Sequence, residues 1–209
     1  MPKTLYGQMF EDISSGDRGL YAEFGASKPG FPESHAPNTD AALLAWHPIN
    51  AASLSVIAGP DPLSSALPNF LRVMVPTGAS GSYLDICMQD YTSTYDASFY
   101  YRFPSASDKN VTFTVGLQTT TGKQLASSPV TVSGSQTTWT QIKTKLTPEV
   151  SPSSTANNFT TTLDGAAGLS VDFALLSLLP PTFKGRENGL RIDIAEVGAF
   201  IIVFRIETY

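Results

Sequence analysis

One cysteine in 209 residues, Cys87, excludes an intramolecular disulfide. It lies in the alternating stretch Tyr83-Leu84-Asp85-Ile86-Cys87-Met88 and reads as a small buried hydrophobe rather than a reactive thiol. Histidine is nearly as scarce. His35 and His47 are the only two, each is followed closely by a proline, and no cysteine or acidic cluster stands at ligand spacing. No metal and no other cofactor is therefore expected. Charged residues make up only 15% of the chain, the net charge is -5, and no basic run occurs. Nucleic acid needs clustered Lys and Arg, so it is excluded as a partner. Long apolar runs are missing too: residues 173–180 and 199–204 fall far short of the roughly 20 needed to span a bilayer. No Gly-x-Ser-x-Gly elbow and no phosphate-cradling glycine motif is present, which removes the serine-hydrolase and nucleotide-binding classes.

With so few charges, the polar surface must consist largely of Ser, Thr, Asn and Gln, and strand-length runs bounded by Gly, Pro and Ser recur along the chain. Such runs occur at 53–58, 70–75, 83–88, 98–103, 111–117, 130–132, 138–146, 158–163 and 169–179. The clearest is 111–117, where Val111, Phe113, Val115 and Leu117 share one face. Helix signals are scarce. Short strands at this spacing predict an all-β protein, a jelly-roll-like β-sandwich with an irregular N-terminal segment. We expect a single domain over 1–209: a head and loop (1–45) packed on a sandwich core (46–183), then a tail (184–209). The Pro-rich segment 28–40 reads as an irregular loop and 147–157 as a second soft stretch. Residues 197–206 read as a β-branched strand, expected to pair with the head.

Trp46 and Trp139 each lie beside a strand pattern and read as core. Tyr91 and Tyr95 lie in a polar stretch, so their rings either stack on sugar or pack on a strand edge. Two N-glycosylation sequons, at Asn110 (Asn110-Val111-Thr112) and Asn158 (Asn158-Phe159-Thr160), agree with secretion.

The head Thr4-Leu5-Tyr6-Gly7-Gln8-Met9-Phe10-Glu11-Asp12-Ile13, then Gly19-Leu20-Tyr21-Ala22-Glu23, resembles the start of fungal α-L-arabinofuranosidases of glycoside hydrolase family 51. So does the tail Gly189-Leu190-Arg191-Ile192-Asp193-Ile194-Ala195-Glu196. Between them, Ala97-Ser98-Phe99-Tyr100-Tyr101-Arg102-Phe103-Pro104, Asp164-Gly165-Ala166-Ala167 and the run from Val132 to Gln141 resemble that family's inserted carbohydrate-binding-like module. The resemblance implies a carbohydrate-binding-module-like sandwich, a secreted protein whose signal peptide is not in this numbering, and Glu11 as a relic of the residue that helps hold the arabinose ring. It also implies that the catalytic barrel and both catalytic glutamates lie beyond the tail, so no catalysis is expected. The chain departs from the family at Ser14-Ser15-Gly16-Asp17-Arg18-Gly19, where a His and a Gly-Asp-Gly-Gly turn are usual.

Two roles follow from this resemblance. A non-catalytic chain of this size also looks similar to the small subunits of heterodimeric fungal laccases, which implies a larger secreted enzyme as partner. Phe10, Leu20, Tyr21, Phe24 and Phe183 would then form the partner interface, since they faced the barrel in the family. The alternative is free recognition of arabinose-containing or related plant cell-wall polysaccharide, with Tyr91 and Tyr95 as contacts.

Overall fold

The structure is a computed structural model that describes residues 20–22, 43, 46–65, 67–77, 82–87, 94–150, 156–179, 181 and 183–185. Eleven strands occur among them: β1 (Leu20–Ala22), β2 (Trp46–Pro48), β3 (Ser53–Ala58), β4 (Asn69–Met74), β5 (Ser82–Cys87) and β6 (Tyr95–Arg102), then β7 (Asn110–Thr119), β8 (Gln124–Ser133), β9 (Thr140–Leu146), β10 (Ala156–Asp164) and β11 (Ser170–Leu179). All pairings are antiparallel. One sheet has six strands in the order β3-β4-β11-β6-β9, with β1 also paired to β11. The other has five, in the order β2-β5-β10-β7-β8. The β-sandwich expected from strand spacing is what the chain forms. No helix among the described residues is long and apolar enough to cross a membrane.

Period-two alternation sets which residues go inward. Val111, Phe113, Val115 and Leu117 of β7 meet Tyr95, Ala97, Phe99 and Tyr101 of β6, together with Phe173, Leu176 and Leu178 of β11, in one core between the sheets. Its centre is aromatic: Phe113 lies 5.0 Å from Tyr101, 5.8 Å from Phe173 and 6.0 Å from Phe99, in tilted or edge contacts. Each such buried ring contributes on the order of 2–3 kcal/mol by leaving water. The sheets also meet at a polar seam, where the inward hydroxyls of Ser128 and Thr144 lie 2.5 Å apart.

β11 changes partner along its length. Val171 and Phe173 pair with β4, and after a bulge Leu176 and Leu178 pair with β1. Leu175 supplies the extra residue at φ +48°, a conformation that costs a leucine on the order of 1 kcal/mol. The gain is register: the bulge shifts the inward set from odd to even positions, so both halves of the strand keep their apolar side on the core. The bulge thus lets a strand from the expected head, β1, join the six-stranded sheet beyond the end of β4. Leu20 and Tyr21 are paired with Leu178 and Ser177. At the other end of the strand, Gly165 turns β10 into β11 at φ +82°, and a Cβ there would stand 2.6 Å from the Asn110 carbonyl oxygen.

Candidate functional site

Side chains that do not enter the core form two outer faces, and these are built from different chemistry. On the six-stranded sheet the centre is Asp172 of β11, which is 0% exposed. Its neighbours across the ladder are Arg72 on β4 and Arg102 on β6. Arg72 donates two hydrogen bonds to the carboxylate, Nε to Oδ1 at 2.7 Å and Nη2 to Oδ2 at 3.0 Å. Arg102 donates Nε to Oδ2 at 3.1 Å. The hydrogen bond to Asp172, reinforced by its charge, raises the Arg72 pKa above its ordinary value against the opposing effect of burial. A carboxylate with no exposure is tolerable because both oxygens are taken by cations.

Aromatic rings hold the second arginine. The Arg102 guanidinium carbon lies 4.5 Å from the Trp139 ring and 4.9 Å from that of Phe70, and those two rings meet edge to face at 5.6 Å. The Trp139 indole N–H donates to the Asp61 carbonyl oxygen at 3.1 Å. Trp139 is therefore half-buried on an outer face, not in the core where its sequence neighbourhood placed it. Further along the same face, Tyr100 pairs with Gln141, and Ser98 with Lys143. The Ser98 and Ser177 hydroxyls are 2.8 Å apart.

The five-stranded sheet presents a largely neutral face, with the carboxylate of Asp164 exposed at its end. Opposite the core lie Thr112, Thr114, Gly116 and Gln118 of β7, paired with Asp164, Thr162, Thr160 and Asn158 of β10. Gln118 Nε2 donates to Gln124 Oε1 at 3.1 Å, and Gln124 Nε2 in turn donates to the carbonyl oxygens of Leu117 and Ala126. Gly116 makes room for this arrangement: a Cβ there would stand 2.7 Å from Gln124 Nε2 and 2.9 Å from Thr160 Oγ1. Asn158 is 8% exposed, and its Oδ1 is enclosed with no hydrogen-bond partner in the structure. An enclosed acceptor without a donor costs about 1–3 kcal/mol.

Two site expectations change. Tyr95 is 6% exposed and faces the core as the first residue of β6, so its ring has no free face for a sugar. Burial raises the pKa of Tyr101, three positions further along the strand's inward row. Asn158 sits in the middle strand of its sheet, where an N-linked glycan has no room on the folded chain, whereas Asn110 is exposed at the start of β7. Phe183 lies in a 3-10 turn, Phe183–Gly185. Phe10, Glu11, Phe24, Tyr91, the loop 28–40 and the tail 197–209 lie outside the described residues.

No family model matches the chain. It is 33% identical over 202 residues to α-L-arabinofuranosidase A of Aspergillus niger, an alignment covering 92% of this chain and 30% of that protein. A solved arabinose-bound α-L-arabinofuranosidase, MgGH51, is 48% identical, with a TM-score of 0.76 over 92% of this chain and 32% of its own. Its homologues are α-L-arabinofuranosidases of glycoside hydrolase family 51. The chain spans about 30% of the length of the curated relatives it matches. In fold alone it is similar to the xylan-binding CBM22-1 domain of Paenibacillus barcinonensis Xyn10C: TM-score 0.50 at 12% identity, covering 80% of this chain and 97% of that domain.

Proposed function

We propose that this chain is a non-catalytic carbohydrate-recognition unit of a secreted protein, and that the neutral face of the five-stranded sheet takes an uncharged, arabinose-bearing plant cell-wall polysaccharide. The observation that carries this reading is the outward row of neutral side chains, Thr112, Thr114 and Gln118 of β7 beside Thr160 and Thr162 of β10. Amides and hydroxyls match sugar hydroxyls as both donors and acceptors. The carbohydrate-binding-module fold and the arabinofuranosidase homology support the same class of ligand. They favour sugar recognition over attachment to a larger oxidase.

Catalysis is not proposed for this chain. Retaining hydrolysis needs two carboxyl groups about 5 Å apart, one of them free to act as acid and base. Among the described residues the one buried carboxylate, Asp172, has both oxygens bound by arginines. Calorimetric titration with neutral oligosaccharides cut from arabinoxylan tests the reading. Binding is expected, and Gln118→Ala should weaken it about fivefold, the value of one hydrogen bond. No heat of binding to any neutral fragment, or release of arabinose from a chromogenic arabinofuranoside by the pure chain, would sink it.

A further inference from the structure

From the opposite face we infer that the six-stranded sheet binds a second class of ligand, a uronic-acid-bearing polysaccharide, with Arg102 receiving the carboxylate and Tyr100 and Trp139 flanking the sugar rings. The class of ligand rests on the carbohydrate reading above, but the site is a different one. Arg102 commits only Nε to Asp172, so its two Nη groups have no hydrogen-bond partner among the described residues. The guanidinium is held on three sides, by the carboxylate and by two aromatic rings, while the side chain keeps 13% exposure. That is a fork fixed in advance, with an open edge that matches the two oxygens of a carboxylate. Holding it rigid removes the ordering cost a flexible cation would meet on binding.

The surroundings continue the pattern in a line. Outward rows along β6 and β9 recur every 7 Å or so. The first is Arg102 beside Trp139, the next Tyr100 opposite Gln141, and the third brings Lys143, exposed and without an ion-pair partner among the described residues. Arg72 lies on the other side of Asp172, with Nη1 making no hydrogen bond among the described residues. Arg72, Arg102 and Lys143 against the buried Asp172, with Lys145 and Asp96 paired beyond them at the rim, leave this strip positive on a protein whose net charge is -5. Alternating cations and half-buried rings along one strip suit a linear chain with repeated carboxylates better than a protein surface, which would cover a broader and more apolar patch.

Affinity electrophoresis of the purified full chain through gels containing polygalacturonate or neutral linear arabinan tests the inference. Polygalacturonate should retard it, and retardation should fall as salt is raised. Arg102→Lys keeps the charge beside Asp172 but loses the planar fork, and should weaken polygalacturonate binding about tenfold. Lys143→Gln, fully on the surface, should weaken it about threefold and leave arabinan unchanged. Retardation by arabinan alone, or by polygalacturonate with no response to either substitution, overturns the inference and leaves the neutral-sugar reading standing. Retardation by neither polymer overturns both. Equal retardation by poly-glutamate, with the same response to the substitutions, also overturns it, because the face would then bind acidic peptide.

Discussion

The two outer faces of one sandwich solve the problem of polar groups on a sheet in opposite ways. On the six-stranded sheet, charge is gathered at the centre and neutralised internally: Asp172 draws Arg72 and Arg102 together, and Phe70 and Trp139 hold the second arginine in place. On the five-stranded sheet, β7 and β8 contribute no charged side chain at all. Threonines and glutamines there bond to one another or to carbonyl oxygens, as in the pairing of Thr112 with Thr131 at 2.9 Å. Ionic contacts in low dielectric are strong and resist exchange, whereas neutral hydrogen bonds trade with water at little net change. The charged face is thus rigid, with its cations fixed in place. The neutral face is suited to a ligand made of hydroxyls.

The largest break in this comparison comes from Asp172→Ala. It leaves two partly buried guanidinium groups without a counterion, and should cost about 3–5 kcal/mol in urea unfolding. Next is Gly116→Val on the neutral face, where the added carbons collide with Gln124 and Thr160. That substitution should cost about 1–3 kcal/mol and abolish neutral-sugar binding with it. Thr160→Val removes a hydroxyl but little volume from the same floor; about 1 kcal/mol is expected, read as a shift of the unfolding midpoint. The smallest effect marks the rim of the charged face. Lys145 and Asp96 pair at 2.8 Å, yet both are well exposed, so Lys145→Gln should change stability by no more than about 0.5 kcal/mol. A much larger loss there would mean that charge on this face is cooperative out to its edge.

Local pattern accounts for what could be read in advance. The i, i+2 rows of β7 and β11 announced their strands because both faces of the sandwich impose a period of two. β8 was legible only in its second half: Gln124–Ser133 is an edge strand, and its first residues are mostly small and polar and run into Pro129, tolerated there because one side lacks a partner. The polar stretch from Asp90 to Asp96 makes Tyr95 read as a sugar contact or a strand-edge ring, although the inward row Tyr95, Ala97, Phe99, Tyr101 can be traced back to it. The charged face left no such trace. Phe70, Arg102, Trp139 and Asp172 come from four separate segments, and their contact depends on strand order, which no short stretch of sequence encodes. Asn158 carried a misleading trace: its sequon is a three-residue pattern, while its burial follows from β10 lying in the middle of its sheet.

The account's central claim is that the two faces divide the labour of recognition. Mapping amide chemical-shift changes on the labelled full chain tests it directly, first with neutral arabinoxylan fragments and then with oligogalacturonide. The prediction is that neutral fragments perturb residues 112–118 and 158–162, while oligogalacturonide perturbs residues 98–102 and 139–143. Perturbation of the same face by both ligands, or of neither face by either, would contradict it.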